Sequence, residues 1–107
     1  MKYKMVIIEN NFHKFFTAKQ LLETHFRLNV KIISTSSHYD LIDSILAIKP
    51  NSLLSNQTLG VVSLYEEISK RNLNRRNSIV YLIINEDIPD SNGIMNYANQ
   101  NKVANAA

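Results

Sequence analysis

The stretch "KMVIIENN", Lys4 to Asn11, decides the fold. Its apolar run, Met5 to Ile8, ends abruptly on Glu9 and Asn10. An unbroken, β-branched run of this length suits a strand covered on both faces, the habit of parallel sheets. A half-exposed strand would alternate instead. The next segment, "FHKFFTAKQLLETHFRLN" from Phe12 to Asn29, changes period. Phe15, Ala18, Leu22 and Phe26 recur at helical spacing, with Phe12 and Leu21 beside the stripe. Strand followed by amphipathic helix is the first half of a β–α–β unit.

Working outward, the same alternation repeats. "VKIISTSS" reads as a second strand, Val30 to Ser34, with a polar stop. Ser36, Ser37 or His38 opens a second helix whose apolar face is Leu41, Ile42, Ile45, Leu46 and Ile48. Pro50 closes it, because the residue before proline disfavours helix. "SLLS" is a short third strand, and "LGVVSLYEEISKRNLN" a third helix carrying Val61, Leu64, Tyr65 and Ile68. "NSIVYLII" is the most apolar strand of all. A loop with Pro89 and Gly93 precedes a weaker last helix containing Ile94, Tyr97, Ala98 and Val103. The order βαβαβαβα implies an α/β fold with helices on both faces of a parallel sheet. No repeat, linker or second domain interrupts it.

The bulk numbers exclude several classes. At 107 residues the chain makes one domain, 1–107, with one hydrophobic core. No apolar run approaches the roughly 20 residues that span a bilayer, and no signal-peptide pattern opens the chain. A cytoplasmic protein without membrane association is expected. With no cysteine, thiol catalysis and cysteine metal sites are excluded. Two glycines, Gly60 and Gly93, cannot build a dinucleotide fingerprint. A net charge of +3 is mildly basic and scattered, apart from "KRNLNRR", Lys70 to Arg76. That run lacks interleaved aromatics and reads as a solvated turn rather than a nucleic-acid contact. His13, His25 and His38 have no metal-ligand spacing and read as surface or boundary residues.

In an open α/β sheet, chemistry gathers past the carboxyl ends of the strands. Here those tips are Glu9 and Asn10, Ser34 to Ser36, Ser55 and Asn56, then Asn85 and Glu86. Carboxylates clustered there could hold Mg²⁺ or accept a phosphoryl group. The tips are instead mostly amides and hydroxyls, which donate and accept hydrogen bonds but are weak acids and bases.

On these residues the chain resembles the receiver domain of bacterial two-component response regulators, above all those with a LuxR-type DNA-binding domain. "VIIENN" is similar to the family's strand ending in an acidic pair, "KQLLE" to its first helix, and "LAIKPN" with "SLLSN" to its phosphoacceptor strand. "SIVYLII" matches its fourth strand, and "NKVANAA" the segment before its fifth. The resemblance covers essentially the whole chain. It implies a flavodoxin-like (CheY-like) doubly wound sheet in three α/β/α layers, here stopping before the fifth strand. The fourth strand would then lie at a sheet edge, covered by a partner or by the rest of a longer regulator.

The departures matter as much. The acidic pair falls on Glu9 and Asn10, so one carboxylate is replaced by an amide. The phosphoacceptor aspartate falls on Asn56, which cannot form an acyl phosphate. The switch hydroxyl falls on Ile83 or Ile84. The family's lysine lies beyond Ala107. Glu9 and Asn10 alone carry too little charge for firm Mg²⁺ binding. They read as strand-end residues hydrogen-bonded to the following loop, so neither metal nor cofactor is expected.

The expectation is therefore a phosphorylation-independent pseudo-receiver acting in protein interaction and dimerisation to control transcription, without enzyme activity. The resemblance implies an output surface of Asn85, Glu86, Asp87, Ile94 and Tyr97. It also implies a homodimer or a regulatory protein partner, and DNA contact only through a further C-terminal domain. The alternative is a small-molecule sensor whose strand-tip pocket is lined by Asn10, Ser34, Ser55, Asn56 and Asn85.

Overall fold

The structure, a computed structural model, describes residues 2–55, 61–85 and 105–106, with backbone alone for 61–63 and 105–106. Its elements run β1 (Tyr3–Glu9), α1 (Phe12–Gln20) continued by one wide turn (Leu21–His25), β2 (Val30–Ser34), α2 (His38–Ile48), β3 (Ser52–Ser55), α3 (Val61–Arg71) and β4 (Ser78–Ile84). A two-residue β5 (Asn105–Ala106) lies parallel to β3, pairing Ser52 with Asn105. The expectation that the chain stops short of a fifth strand is corrected to that extent.

Among the described residues all pairings are parallel, and the sheet order is β2-β4-β1-β3-β5. The cores show three layers. Odd residues of β1, Met5 and Ile7, share one apolar layer with Phe15 of α1, Leu22 of the wide turn and Leu64 and Ile68 of α3. Even residues, Val6 and Ile8, share the other with Leu41, Ile42 and Ile45 of α2. β4 divides in the same way: Val80, Leu82 and Ile84 face the first layer, and Ile83 faces the second. This two-sided burial is why both strands read as unbroken apolar runs. The winding is consistent. α1 and α3 carry the chain in one direction along the sheet and lie on one face. α2 carries it the other way and lies on the opposite face. A single crossover hand requires that arrangement.

The order corrects one expectation. β4 is central, not an edge. Along its whole length, Ser78 to Ile84, it pairs with β1, and from Val80 to Ile84 it also pairs with β2. In the flavodoxin-like order 2-1-3-4-5, β1 would lie beside β2 and β4 outside β3. The placement here has a plain cause: the most apolar strand takes the position where both faces and both backbone edges are covered. β2 takes the rim, and its Lys31 and Ile32 are exposed. A lysine on an edge strand discourages pairing with further chains.

Two sequence assignments shift. Phe15 is buried and Phe26 half-buried, but Phe12 and Phe16 project from α1 at 49% and 60% exposure and stack on each other. Tyr65 of α3 is 45% exposed and leans on Phe26 and His25. Among the described residues no helix is long and apolar enough to cross a membrane.

Candidate functional site at the strand tips

The carboxyl ends of β1, β2 and β4 meet where α1 and α2 begin. Each helix opens on a side-chain cap. Asn11 Oδ1 accepts the Lys14 amide at 3.1 Å, and Ser37 Oγ accepts the Asp40 amide at 3.1 Å. Such caps satisfy amides that have no carbonyl partner within the helix. The short turns from strand to cap bring Glu9, Thr35 and Asn85 together.

Asn85 holds this edge closed. Its backbone amide donates to the Glu9 carbonyl at 2.9 Å, extending the β1–β4 ladder. Its side-chain Nδ2 donates to Thr35 Oγ1 at 2.8 Å and to the Ser37 carbonyl at 2.9 Å. Thr35 in turn donates its amide to the Ile84 carbonyl at 3.1 Å. One amide side chain thus ties the end of β4 to the β2–α2 turn. It is 1% exposed. That overturns its expected place on an exposed output surface: a group that bonds inward across two elements cannot also face a partner.

Glu9 is likewise buried, at 1% exposure. Its Oε1 accepts the Asn11 amide at 2.8 Å. Burial raises its carboxyl above the ordinary value, opposed by the Asn11 amide, the nearby Lys14 and the Asn10 amide. The carboxylate therefore braces the β1–α1 turn, as the loop-bonding reading of Glu9 expects. Asn10 beside it is half-buried. Among the described residues, no three His, Asp or Glu side chains gather as a metal site.

Ile83 and Ile84 are buried apolar residues at 0% and 5% exposure. No hydroxyl stands on the end of β4. Across the ladder the Thr35 hydroxyl donates to the Ile84 carbonyl at 3.4 Å and accepts from Asn85. Ser55 is buried at the end of β3, whereas Ser34 is exposed at the end of β2. The proposed pocket residues are thus not equivalent: Asn85 and Ser55 are interior, Asn10 is intermediate and Ser34 faces solvent. Asn56, Glu86, Asp87, Ile94 and Tyr97 lie outside the described residues.

The sequence signals the first member of this network, since an amide directly after an all-apolar strand must find partners at the sheet end. It does not signal Thr35 or Ser37 as those partners. Their role depends on β4 lying next to β2, which the sequence does not dictate. In comparisons with protein-family models, curated proteins and solved structures, nothing matched this chain. The likeness to receiver domains rests on the sequence pattern alone.

Proposed function

We propose that this chain is a non-enzymatic regulatory module of the pseudo-receiver kind. It works through association with a second copy or a regulatory protein, and it needs no aspartyl phosphorylation. The setting is bacterial transcription control in the cytoplasm. The observation that carries this reading is the bonding of the strand tips. The Asn85 amide donates to Thr35 Oγ1 and to the Ser37 carbonyl, and Glu9 spends an oxygen on the turn beyond it. An edge bonded in this way stiffens the sheet end and presents a poor nucleophile–base arrangement. The buried Ile83 and Ile84 add to it, because a receiver switch needs a hydroxyl that tracks the phosphoryl group. The reading draws on this chemistry and on the sequence pattern, not on the strand order, which is the chain's own.

The test is the mass of the intact chain in solution over a concentration series, with and without Mg²⁺ and acetyl phosphate. Association that is the same in all conditions, with no added phosphate mass, is the expected result. A covalent phosphate, or a dimer that forms only with the donor, overturns it. A monomer at every concentration leaves no role for self-association and shifts the search to a different protein partner.

A further inference from the structure

The opposite edge of the sheet, where the strands begin and α2 and α3 end, holds a concavity of about 430 Å³. Lys2, Lys4, Lys49, Arg71, Asn51 and Asn77 line it. Helix carboxyl ends carry partial negative charge, so some of this basic character serves the fold. Lys4 Nζ donates to the Ile48 carbonyl at the end of α2, at 3.1 Å. Arg71, in the last turn of α3, pairs with Glu67 and donates Nε to the Tyr3 hydroxyl at 3.0 Å. These contacts use one of the three ammonium protons and part of the guanidinium fork. They also fix both cations in place at the rim.

The remaining capacity is all of one kind. Among the described residues, the ammonium groups of Lys2 and Lys49 have no acidic partner. The two amides are oriented by backbone donors. Asn51 Oδ1 accepts the Lys4 amide at 2.7 Å, and Asn77 Oδ1 accepts the Asn74 amide at 2.9 Å. A backbone N–H can bond only to the amide oxygen, so each side chain keeps its NH₂ for another acceptor. Lys49 stands at φ 54°, in the left-handed turn that ends α2 and leads into β3. The wall is thus rich in unspent donors and positive charge. Among the described residues Glu67 reaches this wall through Arg71, which neutralises it.

From this we infer that the amino-terminal edge of the sheet is a binding site for a small polyanion, recognised through a phosphate or diphosphate group. The cavity has the size of a small-ligand site. Its donors and charges suit phosphoryl oxygens, which accept without donating. This inference goes beyond the regulatory reading and is independent of it, since the site lies at the other end of the strands.

The test is titration of the full chain with pyrophosphate and, separately, with a nucleoside triphosphate at low ionic strength. The heat of binding and the melting temperature are followed. Lys2→Gln with Lys49→Gln is the informative variant, because among the described residues neither ammonium makes an ion pair. Saturable binding that this variant weakens by about tenfold or more, with unchanged melting of the free protein, is the expected result. Equal affinity for pyrophosphate and the nucleoside triphosphate assigns the site to a diphosphate group, and tighter binding of the nucleoside triphosphate adds a contact to its third phosphate or to its nucleoside. No saturable binding, or binding unchanged in the variant, overturns the proposal. So does much tighter binding of a DNA duplex that is lost in Arg75→Gln with Arg76→Gln but kept in the lysine variant. That result would mark an extended nucleic-acid face.

Discussion

Glu9 shows how one residue can keep its identity and change its work. A carboxylate at a strand tip invites a metal or a phosphoryl reading, yet this one is buried and bonded to the amide of Asn11. Burial raises its carboxyl above the ordinary 4.5, so the folded protein holds that proton more tightly than the unfolded chain does. Between 4.5 and the raised value the native state binds more protons, and stability attributable to Glu9 falls as pH rises through that window. Glu9→Gln keeps an oxygen for Asn11 and removes the ionisation. Urea unfolding of both proteins from about pH 4 to 8 should show the variant gaining on the parent as pH rises, then holding a constant advantage. An advantage that shrinks with pH would mean that the ionised form is the one the fold favours. The sequence shows that a lone acid ends β1, but whether it meets solvent, metal or a backbone amide depends on the depth of the neighbouring turn. The same holds for Asn85. Its amide is conspicuous after seven strand residues, but its two acceptors are 50 and 48 positions away in the chain.

At the scale of elements, periodicity was a good guide to what each helix buries and a poorer guide to what it leaves out. The stripe Phe15, Ala18, Leu22 and Phe26 faces the sheet as its spacing implies. Phe12 and Phe16 are one helical turn apart on the neighbouring face, where a count of aromatics looks like core but the geometry is outward. The end of this helix was not legible. The Phe26 amide reaches the Leu21 carbonyl at 3.1 Å, a five-residue span that widens the last turn, and Arg27 at φ 53° then reverses the chain. Nothing in "LLETHF" announces that widening, because its residues fit an ordinary turn equally well. The start of α2 was legible within a residue or two, and it can be tested. Ser37→Ala removes the acceptor for the Asp40 amide and should cost about 1 kcal/mol of unfolding free energy. Ser36→Ala removes only an exposed hydroxyl bond to Asp40 and should cost less than about 0.5 kcal/mol. Chemical denaturation of the two variants beside the parent checks both. Equal losses would mean that the cap is not the structural start of α2.

For the whole molecule, the alternation of strands and helices led directly to a three-layer, doubly wound parallel sheet, and the two cores bear out that architecture. Strand order is a different kind of information. Each crossover of one hand can skip a neighbour, so βαβαβ sequences permit several orders, and hydrophobic content ranks strands by burial without naming their partners. Here the ranking was itself the better clue: Ser78–Ile84 is the most apolar run, and it lies between β1 and β2. That position makes a specific expectation for amide exchange and for proximity. The amides of β1 and β4 should be the last to exchange in native conditions, while those of β2, open along one edge, should exchange through smaller openings. Cross-strand nuclear Overhauser contacts should join Ile32 to Leu82 and Ile33 to Ile83, the paired positions of β2 and β4. Leu82→Ala, at a fully buried site, should cost about 2–5 kcal/mol, whereas Ile32→Ala, at 45% exposure, should cost far less. Contacts from β2 to Val6 and Ile7 of β1, with none to Leu82, would replace this order by one in which β1 and β2 are neighbours. The inward bonds of Asn85 to Thr35 and Ser37 would then fall with it, because those bonds exist only when the end of β4 lies beside the end of β2.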